Sequence, residues 1–191
     1  MLKITKIGSS SDNGSINPSD IVLDLPLISD KNDVSSNNHS TIENDVIYYP
    51  DGALLDENTD YIKVNDSEDL SFTTGTSDKP FSISCDFITC SSNSLQRLVS
   101  KDDTTVFEYS TYYQNNNLTF VLNSQSIGSK YKFIWTNSIS LVKGVSYNII
   151  FTYDGTNNVS DGRGGTSGMS IYVNGVKATT SFGIFGGNKA K

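Results

Sequence analysis

Phe81-Ser82-Ile83-Ser84-Cys85-Asp86-Phe87 alternates apolar and polar side chains without a break. Successive side chains of an extended chain point to opposite faces, so Phe81, Ile83, Cys85 and Phe87 share one face. The serines and the aspartate share the other. One face in a core and one toward water is the signature of an antiparallel sheet. Tyr147-Asn148-Ile149-Ile150-Phe151-Thr152-Tyr153 repeats the alternation, and Ser170-Ile171-Tyr172-Val173 runs into Asn174-Gly175, the preferred pair for a two-residue hairpin turn.

Shorter strand signals lie between and before these. They are Ile21-Val22-Leu23-Asp24-Leu25-Pro26-Leu27, residues 46–49, Tyr61-Ile62-Lys63-Val64, Leu98-Val99-Ser100, residues 106–109, residues 118–122 and Lys132-Phe133-Ile134-Trp135. Pro26 lacks a donor for a ladder, so the first of these belongs at an edge or at a bend. Residues 65–70 suit a single helical turn with a capping residue at its start, and residues 29–44 read as a long polar surface loop. No amphipathic helix of useful length is legible. The expectation is an all-β, antiparallel two-sheet sandwich spanning residues 20–191. Residues 1–7 have a short apolar/polar pattern that suits one strand or an arm. With the polar run Gly8-Ser9-Ser10-Ser11-Asp12-Asn13-Gly14-Ser15, residues 1–19 read as an N-terminal arm and flexible linker that serves as a docking segment outside the core.

Composition limits the partners. The 191 residues carry 14 basic and 21 acidic side chains, a net charge of −7, with the basic residues scattered. Nucleic acid is bound through clustered Lys and Arg that displace counterions, so neither nucleic acid nor an anionic membrane is expected as a partner. No apolar run approaches the roughly 20 residues needed to cross a bilayer, and the first seven residues lack the apolar core of a secretory signal. Cys85 and Cys90 are an odd number of residues apart on one apparent strand. That places them on opposite faces roughly 17 Å apart, beyond the ~7 Å a disulfide spans, so both are expected as free thiols.

Five stretches in order resemble the laminin G-like, or concanavalin A-like lectin/glucanase, jelly-roll family. They are "DENTDYIKVNDSEDLSF" at residues 56–72, Pro80-Phe81-Ser82-Ile83-Ser84, Leu98-Val99-Ser100-Lys101, "VSYNIIFTYDG" at 145–155 and "MSIYVNGV" at 169–176. Residues 20–27 fit the family's opening strand. The resemblance implies a jelly roll that binds rather than catalyses. It also implies closing strands after the Asn-Gly hairpin, and their expected absence here means either a sequence cut short or a partner chain that supplies the missing edge. Domains similar to this one occur on bacteriophage particles. The expected role is therefore a structural or attachment component of a virion, decoration or fibre, that engages other virion proteins or further copies of itself through the arm and binds host surface glycans. The alternative is a carbohydrate-binding module of a secreted or cell-surface, hence extracellular, protein.

Candidate sites follow from side-chain chemistry. Tyr112 and Tyr113 adjoin Gln114-Asn115-Asn116-Asn117, which reads as a polar loop and leaves their rings without an evident core face. With Trp135 they form the candidate sugar-stacking set, although a single Trp ending an apolar strand also suits a core. Family members hold calcium in rim loops, and calcium takes six to eight oxygens. Asp154, Asn157, Asn158 and Asp161 are the candidate ligands, with ordinary turn formation as the competing explanation. No other cofactor is implied. The glycine-rich run Asp161-Gly162-Arg163-Gly164-Gly165-Thr166-Ser167-Gly168 lacks the Lys-Ser/Thr ending of a phosphate loop. The one histidine, His39, is expected in solvent within its polar loop. The glucanase branch of the family places its carboxylates as Glu-x-Asp-x-x-Glu on one strand, a run that does not occur here, so no catalytic residue is assigned.

Overall fold

A computed structural model describes residues 1–6, 18–56, 59–72, 78–90, 94–102, 107–124, 130–155 and 168–185. The described strands, in chain order, are β1 (Leu2–Lys6), β2 (Ile21–Leu25), β3 (Thr41–Asn44), β4 (Ile47–Tyr49) and β5 (Gly52–Leu54). Next come β6 (Tyr61–Val64), β7 (Phe81–Ile88), β8 (Gln96–Asp102), β9 (Phe107–Gln114) and β10 (Asn117–Ser124). The last are β11 (Lys130–Thr136), β12 (Ser146–Tyr153), β13 (Met169–Val173), β14 (Val176–Lys177) and β15 (Thr180–Phe185). The helical content described is two single 3-10 turns, Pro18–Asp20 and Glu68–Leu70, and neither is long enough to cross a membrane.

The strands build a six-stranded sheet, ordered β14-β13-β12-β7-β1-β2, and a five-stranded sheet, ordered β15-β11-β10-β9-β8. Every pairing is antiparallel. The two sheets bury their facing surfaces as a sandwich, an arrangement compatible with a jelly roll, and two small hairpin-like sheets, β3-β6 and β4-β5, stand beside it.

The core is what the alternation in β7 and β12 predicts. Phe81, Ile83 and Cys85 are buried, as are Ile149, Phe151 and Tyr153 on the neighbouring strand. Phe81 stacks on Phe72 at 4.3 Å and meets Tyr109, Phe120 and Tyr153 at 5.4, 6.0 and 6.1 Å. These separations suit stacked and edge-to-face ring pairs. Both cysteines are free, Cys85 buried and Cys90 exposed, and burial pushes the Cys85 thiol up to about 12. The Asn174-Gly175 turn has positive φ at both positions, 49° and 77°, as its type requires.

Two expectations about the chain's organisation are corrected. Residues 2–6 are not an arm: β1 lies inside the six-stranded sheet between β2 and β7, with Ile4 opposite Ile83 and only 2% exposed. The apolar/polar alternation of residues 2–5 suits a strand, but its place inside the sheet is set by pairing with a strand some eighty residues away, which leaves no local trace in the sequence. Nor is the sandwich without a closing strand. After the hairpin the chain crosses to the other sheet and β15 pairs with β11 over six consecutive residues. The rest of the proposed linker, residues 7–17, lies outside the described residues.

The loop before β3 is also more ordered than its composition implied. Asp33 is 4% exposed, and its carboxylate accepts from the backbone N–H groups of Asp24, Ser35 and His39 at 2.8–2.9 Å and from the Ser35 hydroxyl. Burial is the largest single influence on this carboxyl and opposes its ionisation. The hydrogen bonds from Asp24, His39 and Ser35 together outweigh burial and hold its pKa below the usual value.

His39, expected in solvent, has a side chain only 10% exposed. Its Nε2 lies 3.0 Å from the Val22 carbonyl and 3.3 Å from Asp69. A carbonyl can only accept, so Nε2 carries the proton in this contact. The Val22 carbonyl also receives Asn37 Nδ2 at 3.1 Å. It is available because a bulge opposite Ile4 and Thr5 leaves Val22 without a ladder partner.

Candidate functional site

Alternation sorts the aromatic residues of the five-stranded sheet onto its two faces. In β9 and β10 the register pairs Tyr113 with Leu118, Thr111 with Phe120 and Tyr109 with Leu122, all of them buried toward the other sheet. The intervening positions face outward. There Tyr112 pairs with Thr119, and Thr119 pairs in turn with Trp135 of β11. Tyr112 and Trp135 therefore stand in one cross-strand row, about two strand spacings or roughly 10 Å apart, with Thr119 between them. Both rings are half-buried, while Thr119, flanked by them, is 6% exposed.

Phe133, two residues before Trp135 on the same face, completes the surface. Its ring stacks on the indole with centroids 5.3 Å apart and an interplanar angle of 26°. On the next strand it lies over Gly183, its cross-strand partner. A Cβ built on Gly183 would collide with the Phe133 ring. Glycine at this point lets the ring lie flat across the sheet. The result is a strip of three rings, Tyr112, Trp135 and Phe133, on an outward sheet face, with Thr119 as its polar floor. A neighbouring cross-strand pair on the same face, Ser100 and Ser110, has hydroxyls with no hydrogen-bond partner in the structure.

The structure thus keeps two of the three residues in the candidate sugar-stacking set and removes the third. Tyr113 is fully buried. Its hydroxyl accepts from the Leu141 N–H at 3.3 Å and has the Asn116 side-chain oxygen and the Ile139 carbonyl within 3.2 and 3.4 Å. The polar run beside it is not a loop. Asn115 and Asn116 both adopt positive φ, 51° and 60°, and close β9 and β10 as a two-residue turn. Asparagine tolerates that region better than other non-glycine residues, and the turn fixes the register that sends Tyr113 inward. Sequence reasoning missed Phe133, although its spacing of two from Trp135 was the available signal.

Of the candidate calcium ligands, Asn157, Asn158 and Asp161 lie outside the described residues. Asp154 is exposed at the end of β12, and its N–H donates to the Gly168 carbonyl at 3.0 Å. Gly155 beside it, with φ of 77°, packs so closely on the segment before β7 that a Cβ there would come within 2.9 Å of Pro80 N. Among the described residues no group of three or more His, Cys, Asp and Glu side chains is placed to hold a metal.

Other polar clusters tie elements together. Lys101 meets Asp66 at 3.0 Å and Glu108 at 3.4 Å, and Glu108 accepts the Phe72 N–H at 2.6 Å. These contacts fix the 3-10 turn, Glu68–Leu70, to the edge of the five-stranded sheet. An open groove of about 400 Å³ beside β2, between Ile21, Asp24, Val34 and Ser35, has no aromatic residue in its lining. No family model, curated protein or solved structure matches this chain.

Proposed function

We propose that this chain is a non-catalytic attachment module that holds a glycan against the aromatic strip of its five-stranded sheet. One observation carries the reading: Tyr112, Trp135 and Phe133 share an outward face although the core already has its own set of rings. Three large rings gathered, half-buried, on the outward face of a sheet are unusual where a fold gains nothing from them. A pyranose presents apolar C–H groups on one face and hydroxyls around its rim. Ring faces suit the first. A flat strip rather than a pocket fits a repeating polymer bound weakly at each unit.

On this reading the module works on the surface of a viral particle, a bacteriophage in the first instance, and the strip faces the host. The acidic, cysteine-poor, hydroxyl- and amide-rich composition supports that setting, as does the resemblance to laminin G-like domains. Calcium is proposed at Asp154, Asn157, Asn158 and Asp161, of which Asp154 lies among the described residues.

The test uses Trp135, the single Trp of the chain, as its own reporter. Polysaccharides titrated with and without calcium should change its fluorescence saturably. Tyr112→Ala should weaken binding by about tenfold, the loss of roughly 1.4 kcal/mol of ring contact. Binding undiminished by Tyr112→Ala and Phe133→Ala, or measurable turnover of a bound polysaccharide, would overturn the proposal.

A further inference from the structure

An antiparallel sheet ends in strands whose outward N–H and C=O groups are unpaired, and proteins guard such edges with charge, bulges, short strands or covering loops. This sandwich has four edges, and three are guarded. Along β2 the loop around Asp33 takes up the Asp24 N–H and both the Val22 and Asp24 carbonyls. At β14 the edge is two residues long and contains Lys177. In β8 the sequence QRLVSKD carries charge, and its register is broken by irregularities at two points.

The fourth edge differs in every respect. β15 reads Thr180-Ser181-Phe182-Gly183-Ile184-Phe185, with no charge and no proline. Its register to β11 runs six pairs without a shift, and among the described residues no strand lies on its other side. Phe182 stands at this edge 51% exposed.

We propose that β15 pairs antiparallel with β15 of a second copy, joining two five-stranded sheets into one continuous sheet. A second copy is the occupant because the strand is uncharged. Identical strands then meet about a two-fold axis without placing like charges opposite one another, even though each chain carries a net charge of −7. The pairing also covers Phe182. Six residues of strand make a small interface, below the roughly 1,200 Å² of standard complexes, so the dimer is weak, with a dissociation constant on the order of micromolar.

The inference stands apart from glycan binding but bears on it. β15 lies next to β11, so pairing sets the two Phe133–Trp135 rows three strand spacings apart, roughly 15 Å, on one face. A polymer could then engage both.

Sedimentation of the full chain over a concentration series tests this. The weight-average mass should rise from monomer toward dimer through the micromolar range. Phe182→Lys, which adds the guard the strand lacks, should weaken the dimer at least tenfold while the β-sheet circular dichroism is unchanged. Amide exchange supplies a readout that needs no variant: outward N–H groups of residues 180–185 should slow as concentration rises. A monomer at every concentration overturns the proposal. So does a dimer that Phe182→Lys leaves intact while Tyr49→Lys, on the exposed Ile47–Tyr49–Leu54 face of the β4-β5 hairpin, dissolves it. A dimer that binds no polysaccharide keeps this inference and removes the glycan reading.

Discussion

The two faces of the five-stranded sheet are both aromatic, yet they are packed differently. On the inner face each ring meets others: Phe120 touches Phe81 at 6.0 Å and Phe151 at 5.7 Å, and the Tyr109 and Tyr113 hydroxyls reach backbone groups. On the outer face Phe133 and Trp135 stack on each other, and Tyr112 stands across Thr119 from them. Aromatic content therefore does not by itself separate a core face from an outward one. What separates them is whether an opposing sheet covers the rings.

That contrast breaks if the two sets respond alike to truncation. Phe81→Ala opens a cavity at the centre of the inner cluster and should cost about 3–5 kcal/mol in denaturant unfolding. Trp135→Ala removes a larger ring from the outer face and should cost about 1 kcal/mol or less. Equal losses would mean that the strip is a second core, covered by something the sandwich alone does not show.

A finer contrast separates two neighbours. Tyr113→Phe removes the acceptor of the buried Leu141 N–H. A buried donor left without its partner should cost about 1–3 kcal/mol. If Tyr113→Phe is neutral, its hydroxyl is not what seats the segment before β12 against the sheet.

How far these assignments were legible in the sequence depends on the range of the interaction that decides them. The alternation of β7 and β12 is local and was read correctly, and so was the Asn174-Gly175 turn. Tyr113 was legible in principle. Taking Asn115-Asn116 as a two-residue turn pairs Gln114 with Asn117, puts Tyr113 opposite Leu118 and sends it inward with Leu118, Phe120 and Leu122. Reading the same residues as an open loop lost that register. A strand at residues 1–7 was one of two readings, but the place of β1 inside the sheet was not legible, because Leu2 finds Cys85 and nothing near residue 2 specifies that choice. The Asp33 hub was hidden for a related reason. A loop of Asp, Asn and Ser looks solvated until a bulge in β2 supplies groups for it to bind.

The guarded and unguarded edges offer a comparison that pH can sharpen. The Asp33 carboxyl has a folded pKa below its unfolded value. Its contribution is therefore present above the ordinary carboxylate range, near 3.9, and is lost as pH falls through the lower folded value. Near neutrality the loop should hold β2 closed. In strong acid, amide exchange should quicken in residues 21–25 and 33–39 before it does in β7 and β12. Asp33→Asn should show that faster exchange already at neutral pH and little further change on acidification. If residues 180–185 were to loosen with the same acid profile, the two edges would not be independent.

The smallest effect concerns Tyr112, the outward twin of Tyr113. Its ring flanks Thr119 on the exposed side, so Tyr112→Phe should change stability by no more than about 0.5 kcal/mol. Its value is in what it does to binding. If a sugar is held by contact with the ring face, phenylalanine serves as well as tyrosine and the affinity is retained, whereas Tyr112→Ala loses about tenfold. If Tyr112→Phe instead loses as much as alanine, the hydroxyl rather than the ring makes the contact. The strip would then be a hydrogen-bonding edge that happens to be aromatic. A titration followed through Trp135 decides between them, because the reporter sits two strand spacings away and is untouched by either substitution.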